Sequence, residues 1–198
     1  PKNIEDNIDY PNVEFVLLDY NSSQAEGKWV KNSMMEFIDK GILNYYRTEE
    51  PQDYSMAHSR NIAFKLAQGD IINSVDADNF VNKGFVDYIN KLANQVPEKA
   101  VFAKGKKMLR GRLGFYKDEF INLLSGYDET SIGRTYGQED HDLLHRAWGL
   151  GFTLCWFGGK YYSPTPDHRK HQMTNFHNKD WRHTEKINKI ISFYNLFY

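Results

Sequence analysis

Residues 71–80, IINSVDADNF, constrain the fold more than any other stretch of this chain. The apolar residues Ile71, Ile72 and Val75 form a run too short for a helix, and they read as a buried strand. The run ends in Asp76-Ala77-Asp78. Two carboxylates at i and i+2 on the C-terminal edge of such a strand would lie close together. In an open α/β sheet that edge is where ligands sit. Hard oxygen donors at that spacing suit magnesium or manganese bridging a diphosphate. Asp and Asn also favour turns, so the triplet by itself reads equally as a strand-terminating acidic turn.

The flanking sequence supplies the frame. Val13–Tyr20, VEFVLLDY, is a near-continuous apolar run of the kind buried in parallel sheets. Gly27–Ile38 carries Val30, Met34, Phe37 and Ile38 at helical spacing, and Gly41 closes it before a short strand at Ile42–Tyr46. Met56–Gln68 predicts a helix with Ile62, Ala63, Leu66 and Ala67 inward, stopped by Gly69-Asp70. Gly84–Val96 predicts another, ended by Pro97. Strand, helix, strand, helix, strand, helix is the α/β signature with right-handed crossovers. Ala100–Ala103 and Phe152–Phe157 predict further strands, Tyr116–Leu124 and Glu139–Trp148 helices, and Trp181–Tyr198 a closing helix. Met108–Tyr116, with Gly111 and Gly114, predicts a strand able to run close to a ligand. No repeat, low-complexity linker or domain boundary interrupts residues 1–198, so one domain is expected.

Composition narrows the function classes. The chain has 198 residues and a formal net charge of −1, which gives no global basic field for nucleic acid. Cys155 is the lone cysteine, inside FTLCWF; a buried thiol with no disulfide fits a reducing, cytoplasmic compartment, possible also at the inner face of a membrane. No apolar run approaches the length of a membrane span, and no signal-peptide pattern opens the chain. Aromatic residues make up 15%, mostly core by expectation, with some available to line a sugar or base platform.

Four segments, in order, resemble the GT-A fold glycosyltransferases of the family 2 type. These are FVLLDYNS (15–22), AHSRNIAFKLAQGD (57–70), the DxD of residues 74–79, and the block 113–151 with GFYKDEF, GYDE and YGQEDHDLLHRAWGLG. The last block is similar to β-galactosyl- and N-acetylgalactosaminyltransferases, including chondroitin-type synthases. The resemblance implies a single GT-A domain with a mostly parallel central sheet, whose usual first strand would precede residue 1. It implies a metal-dependent, inverting transfer from a UDP-sugar to a saccharide acceptor in polysaccharide or glycoconjugate synthesis. The alternative is a catalytically silent GT-A-like module that binds a sugar or nucleotide. On the donor side the resemblance points to Asp19, Asp76 and Asp78, and Arg60 and Lys106 are cations able to meet a diphosphate. Manganese or magnesium would be held by Asp78, His168 and His171, with Asp76 reaching the ribose and the ion's waters; His177 and His183 are rival ligands. Asp140 resembles the catalytic base, Glu139 a partner of an acceptor hydroxyl, and Tyr136 an aromatic that stacks on the acceptor sugar. Acids in the first turn of a helix also suit its dipole, which is the plain explanation of Glu139 and Asp140.

Overall fold

A computed structural model describes residues 1–96, 98–105, 112–132, 135–164 and 176–195. Strand β1 (Phe15–Tyr20) pairs in parallel with β2 (Leu43–Thr48), joined by helices α2 (Gln24–Ser33) and α3 (Met35–Asp39). A short helix, α1 (Lys2–Glu5), precedes them. Helix α4 (Met56–Leu66) then leads into β3 (Ile71–Asn73). β3 belongs to a four-stranded sheet of order β3-β6-β5-β7, with β5 at Ala100–Lys104, β6 at Leu113–Tyr116 and β7 at Thr153–Phe157. β6 is antiparallel to both β3 and β5, and β5 is parallel to β7. Three of the four strands therefore share one direction, and β6 alone runs against them. A hairpin-like pair, β4 (Asn79–Val81) with β8 (Tyr162–Pro164), lies beyond the DxD turn.

Helices cover both faces of the four-stranded sheet. Along β5, Val101 and Ala103 point to one side and Ala100 and Phe102 to the other, all fully buried. The first pair packs with Phe64 of α4, Phe120 of α6 (Lys117–Asn122) and Leu143 and Ala147 of α7 (Glu139–Gly149). The second packs with Phe85 and Ile89 of α5 (Phe85–Ala93), and with Phe157 and Tyr162. Burying each such aromatic or branched side chain contributes about 1.5–3 kcal/mol, so the central strands anchor the fold. The C-terminal helix α8 (Trp181–Asn195) lies against α7. No described helix is long and apolar enough to cross a membrane.

Several element bounds shift for local reasons. α2 starts at Gln24 rather than Gly27, because Ser23 and Glu26 form a reciprocal capping box. The expected single helix to Ile38 breaks at Met34, which leaves helical geometry. Gly114 does not mark an approach to a ligand: a Cβ there would sit 2.0 Å from Asn73 Oδ1 on the neighbouring strand, so the glycine accommodates Asn73. Gly111 lies outside the described residues.

Candidate active site

Among the described residues β1 pairs only with β2, and β3 only with β6. A cavity of about 1680 Å³ lies between β1 and β3, lined by Phe15–Leu18 on one side and Ile71–Asp78 on the other. The two strands enter it from the same end. Glu14, just before β1, accepts hydrogen bonds from the backbone N–H groups of Gln68 and Gly69, just before β3. Their C-terminal ends therefore share the opposite rim, where the start of α7 also arrives. Tyr136, Glu139, Asp140 and His141 line the cavity there.

The DxD lies just past β3. Asn79 N–H donates to Asp76 O at 2.9 Å, closing a tight turn between β3 and β4. The triplet is thus an acidic turn and also a strand-end carboxylate pair. Asp78 is exposed, with Asn79 Nδ2 donating to its Oδ1 at 2.8 Å. Asp76 is turned inward to Arg60, whose Nη2 donates to Asp76 Oδ1 at 2.9 Å. Arg60 Nη1 donates to Glu139 Oε1 at 2.5 Å. One buried guanidinium thus ties the DxD turn to the start of α7. Burial works against its charge, but Asp76 and Glu139 more than offset that and hold Arg60 firmly protonated.

The first turn of α7 is built for proximity. Gly137 and Gln138 both take left-handed backbone conformations, φ 85° and 75°, and so turn the chain sharply into the helix. Gln138 has a Cβ and is strained there, a cost that persists where surroundings fix the turn. Asn188 of α8 supplies such fixing by donating to Gly137 O at 2.8 Å. Glu139 and Asp140 are 4% and 6% exposed, so a helix-start preference for acids does not account for them; solvated carboxylates would serve the dipole as well. Burial first, and the neighbouring Asp140 charge second, push Glu139 above the usual carboxylate range against the pull of Arg60. Asp140 Oδ1 accepts from His141 N–H at 2.8 Å and faces His141 Nδ1 at 2.9 Å. That contact raises the His141 imidazole pKa despite burial.

The structure brings Asp76, Arg60, Glu139, Asp140 and Tyr136 to one rim, with Asp78 beside them. Tyr136 meets Phe176 edge to face at 5.4 Å, and Phe176 meets Tyr54, which meets Tyr20. Asp19 is not brought to the cavity. Its carboxylate accepts from Ser22, Tyr45 and Arg47. Burial pushes its pKa up, but these donors outweigh that and hold it below the usual range. His168, His171 and Lys106 lie outside the described residues. His177 is paired with Asp53 at 3.1 Å, and His183 N–H donates to Asp180. Among the described residues no three His, Cys, Asp or Glu side chains converge as a metal cluster.

Three groups at the site were not legible in the sequence. Asn61 donates to Tyr127 O at 3.0 Å and to Glu129 Oε1 at 2.6 Å, and accepts from Tyr127 N–H at 2.8 Å. It clamps the GYDE loop and sets the Tyr127 ring 5.7 Å from the Arg60 guanidinium. The Asp-His pair at 140–141 and the aromatic row Tyr20–Tyr54–Phe176 are the others. Only the adjacency in QEDH was available as a signal.

The family described as Glycosyltransferase like family 2 matches residues 2–101. Solved structures share the fold. S. aureus TarS 1-349 is 15% identical with a TM-score of 0.64, covering 99% of this chain and 69% of its own. The mannosyltransferase PcManGT from Pyrobaculum calidifontis, in complex with GDP-Man and Mn2+, is 17% identical with a TM-score of 0.67, covering 98% and 66%. GalNAc-T7 with UDP, GalNAc and Mn2+ is 16% identical with a TM-score of 0.59, covering 72% and 36%. The chain thus spans only part of each of these relatives. No curated protein matches the sequence.

Proposed function

This chain belongs to glycosyltransferase like family 2, and we propose that it forms one GT-A domain that moves a sugar from a UDP-sugar to a saccharide hydroxyl with inversion, in polysaccharide or glycoconjugate synthesis. The observation that carries this is the Arg60 bridge: it joins a carboxylate of the DxD turn to a carboxylate of α7 on one cavity rim. On this reading a donor half-site and an acceptor half-site meet at one place, as a transfer requires. The similar structures holding GDP-Man or UDP with Mn2+ support a nucleotide-sugar donor and a divalent ion.

Asp76 and Asp78 face the donor, with Arg60 behind Asp76. Asp19 ties the C-terminal end of β1 to β2 at the nucleotide end, through Arg47. Tyr136 stacks on the acceptor sugar and Glu139 orients one of its hydroxyls. Asp140 takes the proton of the attacking hydroxyl as its oxygen closes on the anomeric carbon from the face opposite the leaving diphosphate. His141, bonded to Asp140, keeps that carboxylate oriented.

The carboxylate oxygens present on the rim fit a hard divalent ion, and the exposed Asp78 is accessible to one. Asp78 would hold manganese or magnesium together with His168 and His171. When bound, such an ion neutralises charge on the departing diphosphate as a Lewis acid. A buried lone thiol, Cys155, supports a reducing, cytoplasmic setting.

The test is turnover. With manganese, UDP-galactose, UDP-N-acetylgalactosamine and UDP-N-acetylglucosamine are each offered with chondroitin-type oligosaccharides, and UDP release is followed. Proton NMR of the product reads the anomeric configuration. Donor binding without any transfer would turn the assignment to a silent binding module, and retained configuration would remove Asp140 from the role of base.

A further inference from the structure

Arg60 sits one turn into α4, 8% exposed, and both terminal nitrogens of its guanidinium are engaged. Its partners come from segments remote from each other: Asp76 is 16 residues away and Glu139 is 79 residues away. A guanidinium is a rigid planar fork, so two carboxylates held on its two arms do not have independent positions. Movement of one carboxylate tilts the plane and is felt by the other. Tyr127 lies against the cation, and its own loop is pinned by Asn61, so the guanidinium has little freedom to follow one partner alone.

We propose that Arg60 is a positioning residue that couples the two halves of the site, holding Asp76 and Glu139 in one geometry so that donor and saccharide acceptor bind interdependently. This rests on the assignment of Asp76 to the donor and Glu139 to the acceptor, and it goes beyond that assignment by giving Arg60 a role other than contact with the diphosphate. Charge assistance makes both hydrogen bonds strong, and the rigid fork they share links their geometries. A lysine in the same place carries the charge on one point and cannot serve both arms.

Two measurements decide it. The first needs no ligand: urea unfolding midpoints of Arg60→Met, Glu139→Gln and the double variant. Coupling predicts that Glu139→Gln costs less, or restores stability, when Arg60 is already Met, because the carboxylate left unpaired is then removed. Additive shifts overturn the proposal. The second is calorimetry of uridine and of UDP with manganese. Glu139→Gln, a change on the acceptor side, is expected to shift UDP affinity by about threefold or more in the otherwise native protein, and not in the Arg60→Met background. Arg60→Lys is expected to weaken uridine and UDP by similar factors, and to raise the acceptor KM in the same variant. A loss confined to UDP, with uridine unchanged, marks a direct phosphate contact and overturns the proposal. If the native protein binds no UDP, the donor assignment fails, while an unfolding cycle of Asp76→Asn and Glu139→Gln, non-additive in the native protein and additive in the Arg60→Met background, still decides whether Arg60 couples its two partners.

Discussion

Replacing Asp140 by Asn isolates one proton transfer. The amide is nearly isosteric, and its oxygen can still accept from His141 N–H, now 2.8 Å from Asp140 Oδ1. The site is 6% exposed and well packed, so the backbone of α7 has no reason to move. What disappears is a negative charge and a group able to accept a proton. A general base contributes roughly 10²–10⁴-fold, which is about 2.7–5.4 kcal/mol of barrier at 1.36 kcal/mol per decade. The loss is therefore expected in kcat, by at least about two decades, with UDP-sugar affinity within about twofold of native. Two secondary shifts follow from the same charge. Glu139 loses the neighbour that helps to raise it and ionises more readily, and His141 returns toward an ordinary imidazole. Steady-state UDP release gives the rate, and calorimetry with UDP and manganese gives the affinity. Turnover within about tenfold of native would refute the reasoning, since a catalytic base cannot be dispensed with so cheaply. The base would then have to be Glu139, because Asp142 is fully buried and taken by Arg146 and Asn195.

Asp78→Ala is expected to abolish manganese-dependent UDP binding in the same calorimeter; unchanged binding would place the ion elsewhere. Asn61→Ala removes a buried clamp of three hydrogen bonds and should lower stability by about 2–4 kcal/mol in urea unfolding, with a change under about 0.5 kcal/mol counting against it. His141 binds its proton more tightly folded than unfolded, so its contribution is full below about pH 6.5 and fades as pH rises through its raised folded value. The difference in unfolding midpoint between native protein and His141→Gln should therefore shrink from pH 6 to pH 9; a constant difference would show that Asp140 does not hold the imidazole.

The frame was legible where one physical signal dominated. The run at Ala100–Lys104 is apolar on both sides and buried between two layers, and the apolar run at Phe15–Tyr20 is a strand too, though half-buried because Phe15–Leu18 line the cavity. α4 and α7 carried helical spacing with little competition. The site was legible as a set of candidate acids, because carboxylates that end strands and open helices are local features. Their pairing was not. Asp19 and Arg47 are exact register partners across β1 and β2, and this neutralises an acid that the sequence alone presents as available for a ligand. The Arg60 contacts span 16 and 79 residues, and no periodicity encodes such a meeting. Likewise the reciprocal cap of Ser23 and Glu26 starts α2 at Gln24, ahead of the Gly27 at which the apolar spacing begins.

The charge balance of the rim links the pieces. Among the described residues, Arg60 is the cation bonded to Asp76 and Glu139 on a rim that also carries Asp78 and Asp140, with His141 adding positive charge only when protonated. Two like charges about 4 Å apart cost about 4 kcal/mol at an effective dielectric of 20, so such a cluster is tolerated only with compensation. Glu139 supplies part of it by holding its proton more tightly than a solvated carboxylate. Arg60 supplies more, but its two arms are spent on Asp76 and Glu139 and do not reach toward a third anion. In the proposed reaction, the described part of the rim has the same sign as the diphosphate it would receive. In the proposed reaction a divalent cation held at Asp78, the one exposed carboxylate of the four, would reverse that sign on the donor side. The proposal leaves the buried acids on α7 to the acceptor, whose neutral hydroxyls carry no repulsion. If the proposed assignment holds, one arginine and the placement of the four acids between solvent and core would sort an anionic donor and a neutral acceptor to different ends of the same rim.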